Sequence, residues 1–166
     1  MNKLRIAPVS ALTILCLLML AARVYPADNK DTFFVESLLV WGTNDPMSPD
    51  PNHKPVDPKL EKILRNGPYR WKYYYQVNRV VVTLASAETK KGVKMSSKCV
   101  LDMTNPGDGR IEVILHGDGK KVSKHAEPFP KDKHFILGGN AQNETAWFVV
   151  LTRLEALPKA EMPVAK

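Results

Sequence analysis

Five aromatic rings and three cations crowd into the eleven residues from Tyr69 to Arg79 (YRWKYYYQVNR). Rings in such company stack on sugars or bases, and arginine or lysine beside them neutralises phosphates and carboxylates. Strand alternation places Trp71, Tyr73, Tyr75 and Val77 on one face and Arg70, Lys72 and Tyr74 on the other. The second face, Arg70, Lys72 and Tyr74, is the candidate ligand-binding surface, suited to a glycan or another acidic polymer. The first face is what a core strand needs, so the same pattern also supports a purely structural reading.

The other reactive side chains are dispersed. His53 lies in a proline-rich segment, and His116, His125 and His134 fall among β-type stretches. With no HExxH and no paired CxxC, the sequence encodes no local metal site, and each histidine is expected to be solvated. Cys99 has no neighbouring histidine or asparagine, and no GxSxG is present, so no catalytic residue is assigned. A hydrolase would have to assemble Cys99 with a distant histidine. Asn105-Pro106-Gly107-Asp108-Gly109 and Gly117-Asp118-Gly119 offer one carboxylate each, too few for a calcium loop, and read as turns. Gly138-Gly139-Asn140 has no phosphate-loop lysine and reads as a strand exit. Asn143-Glu144-Thr145 is a glycosylation acceptor only in a eukaryotic host. No cofactor site is encoded.

The elements that must position these residues are mostly strands. Phe33 to Trp41 is rich in aromatic and branched residues. Asn44 to Pro58 carries prolines at 46, 49, 51, 55 and 58, which forbid helix and ladder and make 44–58 an ordered surface loop or linker. Asp57-Pro58 starts a helix, with Asp57 as cap and Pro58 in the first turn. Leu60, Ile63 and Leu64 supply its apolar stripe, and Gly67 is expected to end it in the left-handed conformation. Strands follow at Trp71 to Val77, continued by the β-branched Val80 to Leu84, and at Cys99 to Thr104, Arg110 to His116, Lys120 to His125, Phe135 to Leu137 and Thr145 to Leu154. The turn Gly117-Asp118-Gly119 marks a hairpin. The last strand is nearly continuous apolar sequence, as for a strand buried on both sides. About seven or eight strands with turns between them and one short, early helix predict a mainly β fold, an antiparallel β-sandwich or open barrel.

The first 27 residues carry an address. Lys3 and Arg5 precede an uncharged stretch from Ile6 to Ala22, and the small residue Ala27 follows Arg23 and Tyr25. That order is a secretory signal peptide, with cleavage expected after Ala27 or after Ala22. Pro8, Ser10 and Thr13 interrupt the apolar run, which is too short for a spanning helix. Cys16 follows Leu15 rather than a small residue, so it reads as an apolar part of the leader and not as a lipidation site. Cutting 27 residues from 166 leaves 139, one ordinary domain over 28–155 with a disordered tail at 156–166. Removing Lys3, Arg5 and Arg23 takes the formal charge from +7 to +4, mildly basic. Only Cys99 survives such processing, which excludes an intrachain disulfide scaffold and leaves apolar packing to hold the domain.

The order Leu60-x-x-Ile63-Leu64, the YRWKYYYQVNR stretch, a central hairpin, the Leu137-Gly138-Gly139 exit and a closing AWFVVL strand resembles small secreted bacterial β-rich proteins of unassigned function. The resemblance covers residues 57 to 155. It implies export and a β-rich domain and transfers no catalytic motif. The expected role is therefore an exported, non-catalytic accessory or interaction module, periplasmic or secreted. Its expected partner is an envelope protein or an acidic polymer, with no membrane-integral segment after processing. The alternatives are a glycan- or polyanion-binding module using residues 69–79, and a small envelope hydrolase with a dispersed site.

Overall fold

The computed structural model describes residues 32–140 and 144–158; the leader at 1–27, the residues 159–166 of the expected tail and Asn143 lie outside them. Among the described residues nine strands and one short helix follow one another as β1 (Phe33–Thr43), β2 (Lys54–Pro55), α1 (Pro58–Asn66), β3 (Tyr73–Leu84), β4 (Glu88–Lys94), β5 (Cys99–Asn105), β6 (Arg110–Gly117), β7 (Lys120–Pro128), β8 (His134–Asn140) and β9 (Ala146–Leu154). They form two antiparallel sheets, ordered β2-β3-β1-β9-β8 and β4-β5-β6-β7. The architecture is a sandwich whose sheets do not close into a barrel.

The space between the sheets is filled by alternate residues of facing strands. Phe33, Val35, Leu39, Val149 and Leu151 of the larger sheet meet Cys99, Leu101, Met103, Val113 and Leu115 of the smaller one. Among the described residues three polar ones are buried, Ser37, Thr43 and Asn105; the last two make hydrogen bonds, whereas the hydroxyl of fully buried Ser37 has no hydrogen-bond partner there. A buried, unsatisfied hydroxyl carries its desolvation cost uncompensated. Ser37→Ala is therefore expected to raise stability by about 1 kcal/mol, read as a higher urea midpoint at unchanged slope. A lower midpoint would mean that this hydroxyl has a partner.

The larger sheet is buried on its second face as well, beneath α1. Asp57 accepts a hydrogen bond from Lys59 N at 2.8 Å, and Pro58 occupies the first turn, where no amide hydrogen is needed. Leu60 and Leu64 point into a second core with Val40, Val56, Tyr74, Ala146, Phe148 and Val150. Ile63 departs from the expected stripe and is 40% exposed, because 60 and 64 lie one turn apart on the sheet side. Gly67 is extended (φ −83°) rather than left-handed; a side chain there would approach the Tyr69 ring at 3.0 Å, so close approach explains the glycine. Coverage on both faces also explains the apolar run of β9. Trp147, Val149 and Leu151 face the smaller sheet, and Ala146, Phe148 and Val150 face the helix side.

The expected turns form as the residues require. Asp118 and Gly119 both have positive φ (49° and 74°), the two-residue geometry that suits strand twist between β6 and β7. Between β5 and β6, Asn105 and Asp108 spend side-chain oxygens on the backbone amides of Gly107 (3.0 Å) and Arg110 (3.1 Å). The strand β4 (ETKKGVK) has no period-2 apolar signal. It is held by pairing with β5 and breaks register between Lys90 and Val93, where Gly92 N donates to Asp102 Oδ1 at 2.8 Å. The expected alternating stretch from Trp71, continued by Val80 to Leu84, forms one strand, β3, which starts at Tyr73 and has Val77 bulged out of its pairing with β1.

Candidate functional site

The aromatic stretch divides between two roles. Residues 69–72 lie ahead of β3 and cross the end of the sheet on its helix side. Trp71 Nε1 donates to the carbonyl of Glu144 (2.7 Å), Lys72 N donates to Asn44 Oδ1 (3.2 Å), and Arg65 Nη2 donates to the Lys72 carbonyl. These bonds anchor Trp71 and Tyr69 over Phe148, at centroid distances of 5.6 and 4.6 Å with the rings edge to face.

Arg70 and Lys72 are exposed, as expected. Tyr74 corrects the expectation: it is 3% exposed and packs under the helix, donating its hydroxyl to the Tyr69 carbonyl at 3.2 Å. Burial, the largest influence on its phenol, holds that group above its usual range. Tyr73, expected inside, is 38% exposed at the margin of the sheet. The alternation itself is sound, but the face opposite the inter-sheet core is covered by α1, so it is not a solvent face. Arg70, Lys72 and Tyr74 therefore do not form one surface.

The segment 44–58 is a surface loop only in part. Contrary to the expectation that its prolines exclude helix and ladder, Lys54–Pro55 pairs with Gln76 and Tyr75 as β2, at the sheet edge where proline is tolerated, and Pro58 opens α1. Tyr75 donates to the Pro46 carbonyl (2.7 Å), Ser48 Oγ bonds His53 Nδ1 (2.7 Å), and the Trp41 ring lies 6.5 Å from His53 and 6.0 Å from Tyr75. No histidine is simply solvated: all four are partly buried. His116 Nε2 lies 3.0 Å from Asp102 Oδ2, His134 Nδ1 lies 2.8 Å from Thr152 Oγ1, and His125 meets the Phe135 ring edge-on at 5.8 Å. The Asp102 carboxyl is held below its usual range, chiefly by the Gly92 amide. Cys99 faces inward with Leu101 and Met103, while Val100, its neighbour on the other face, pairs with His116. A cysteine–histidine pair from these two residues is therefore not assembled. Among the described residues no group of three or more His, Cys, Asp or Glu is placed to hold a metal ion.

What the fold does assemble is a corner at the end of β8. Gly138 faces Phe148 across the strand pair, and a β-carbon there would stand 2.6 Å from that ring. Gly139 lies against the Trp147 indole, where a β-carbon would stand 3.2 Å away. The two glycines thus keep the edge free of side chains, with aromatic rings on both faces of the sheet. On the helix side, Pro68, Tyr69, Trp71, Gly138, Gly139 and Phe148 enclose about 260 Å³. On the other side, Trp147 walls a cleft of about 220 Å³ between the sheets, completed by Leu39, Ser96, Lys98, Cys99, Gly117 and Asp118. The glycines are not the strand exit their pattern predicts: both lie within β8 and pair with Phe148 and Trp147. Their signal was the pairing of two adjacent glycines with Trp147 and Phe148 a few residues downstream. No family model, no curated protein and no solved structure matches this chain.

Proposed function

We propose that this protein is an exported, non-catalytic interaction module that engages its partner at the glycine–aromatic corner of β8. The observation that carries the reading is Gly138-Gly139 on an outer strand with Trp147 on one face and Tyr69, Trp71 and Phe148 on the other. Aromatic anchors beside an accessible backbone are the usual makings of a recognition surface. Export is supported by the residue order of the leader. A non-catalytic role is supported by the inward thiol of Cys99 and its separation from His116 by the thickness of the smaller sheet.

The polyanion reading keeps part of its support. Arg70 and Lys72 are exposed, and neither has an ion-pair partner among the described residues. Without Tyr74 beside them, they have lost the stacking ring that would have held a sugar or base.

Photocrosslinking in the native host tests the corner. A photoreactive phenylalanine in place of Arg70 or Lys133 is expected to trap the same defined partner. The same probe in place of Lys91, on β4 at the opposite edge of the smaller sheet, is expected to trap none. Equal adducts from all three positions, or none from 70 and 133, would remove the corner as the interaction site.

A further inference from the structure

We infer that the partner binds as an extended peptide strand with acidic residues, adding to β8 as a sixth strand of the larger sheet. This rests on the corner being the interaction site and goes on to name what occupies it.

The first ground is the contrast among sheet edges. A strand edge with unpaired amides and carbonyls templates another strand unless it is blunted by charge, proline, bulge or brevity. The edge β4 carries Lys90, Lys91 and Lys94 and breaks register at Gly92. The edge β7 carries Lys120, Lys121 and Lys124. The edge β2 is two residues long and ends in Pro55; beyond it β3 is bulged at Val77, and the stretch 78–84 that follows carries the charged Arg79. By contrast β8 (HFILGGN) pairs only with β9, runs in unbroken register over seven residues and contains no lysine, proline or acidic residue. It is the one edge among the described residues without such protection.

The second ground is what borders that edge. Successive side chains of an added strand would point to opposite faces of the sheet. At the glycine pair they would meet the Tyr69–Trp71–Phe148 pocket on one face and the Trp147 indole on the other. Main-chain ladder bonds would supply affinity and alternate side-chain pockets would supply selectivity, as in other strand-addition complexes.

The third ground is charge. Lys133 immediately precedes β8, and Arg70 sits between Tyr69 and Trp71 at the other end of the edge. Both are exposed, and neither has an ion-pair partner among the described residues. Asp132 and Glu144 lie near these two ends, while Glu155 already pairs with Lys131 at 3.2 Å. Two unpaired cations at opposite ends of an uncharged strand favour a segment with acidic residues at its own ends, and rim charges of this kind guide choice of partner.

The test uses the purified protein and a panel of short synthetic peptides that alternate valine with phenylalanine, leucine or threonine and carry two aspartates at each end. At least one member is expected to bind below about 1 mM and to slow hydrogen exchange at amides of β8. Methylating alternate peptide nitrogens is expected to abolish binding, because it removes ladder donors. The Arg70→Ala/Lys133→Ala double variant is expected to keep its melting temperature and weaken binding by about tenfold. Replacing the peptide aspartates with lysine should weaken binding to the same degree. Four results would overturn the inference: no binding by any member, binding without protection of β8, indifference to methylation, and β8 protection that rises with protein concentration alone, which would assign the edge to a second copy. Crosslinking from positions 70 and 133 that persists alongside any of these would keep the corner and reject the strand.

Discussion

Phe148→Ala is expected to lower stability by about 3–5 kcal/mol, the range for a fully buried aromatic cut to a methyl group. Phe148 is 2% exposed and stands where the helix layer, the crossing segment and the larger sheet meet. Its ring lies 4.6 Å from that of Tyr69, 5.6 Å from that of Trp71 and 6.3 Å from that of Tyr74. The backbone has been cleared for it on both sides: β-carbons at Gly42 and Gly138 would come within 3.0 and 2.6 Å of its atoms. Such a site cannot collapse cheaply, since the rings around it are held by hydrogen bonds from Trp71 and Tyr74 to the backbone. A domain of this size is stabilised by about 5–15 kcal/mol in total, so the loss is a large share. Urea unfolding followed by tryptophan fluorescence measures it, with Phe148→Leu as the milder control. A loss under about 1 kcal/mol would show that the helix layer does not bear on this ring.

The Cys99 thiol is expected to react with aromatic disulfide reagents at pH 8 at least about 100-fold more slowly in the native protein than in the unfolded chain. Cys99 is 6% exposed, and burial pushes its thiol up to about 11. At pH 8 the thiolate is then roughly one part in a thousand, against roughly a quarter for an ordinary thiol. Restricted access in the inter-sheet cleft slows the native reaction further. Linkage fixes the sign of the pH effect. A group that folds with its proton held more tightly contributes stability below its unfolded pKa and loses it as pH rises through the folded one. Stability is therefore expected to fall between about pH 9 and 11 in the parent and to fall less steeply in Cys99→Ala. Stopped-flow absorbance reads the first effect and alkaline urea melts read the second. Native reactivity equal to that of the unfolded chain would place the thiol at the surface and reopen a chemical role for it.

The two outcomes bear on different parts of the functional argument. Phe148 is the floor of the pocket beside Gly138, so its removal tests whether the corner is built by the core or merely borders it. Cys99 lines the cleft behind Trp147, which makes its slow native reaction a sensitive gauge of opening at that end of the sandwich.

Local chemistry made much of the fold legible. Asp57-Pro58 could start a helix wherever it fell, because the cap bond and the missing amide are local facts. Asp118-Gly119 could close a two-residue hairpin because both residues accept positive φ. The alternation of Cys99, Leu101 and Met103 with Val100, Asp102 and Thr104 put the thiol on the apolar face of its strand, and the unbroken apolar run of β9 announced burial on both faces. The fate of Tyr74 was not legible, because period-2 alternation assigns residues to faces without saying which faces are wet. That depended on α1 settling over the sheet. β4 was invisible for a related reason: its strand state comes from hydrogen bonds to β5, whereas its own side chains are mostly exposed and polar. Nor could sequence alone single out Gly138-Gly139. Whether a glycine pair is a turn, a bulge or an open edge depends on strand order, and strand order is set by contacts between residues far apart in the chain. The sequence by itself determined the helix start, the β6–β7 turn, the inward thiol and the β class; only the tertiary structure decided which edge stays open and which rings surround it, because pairing and layer coverage are long-range properties that no local pattern contains.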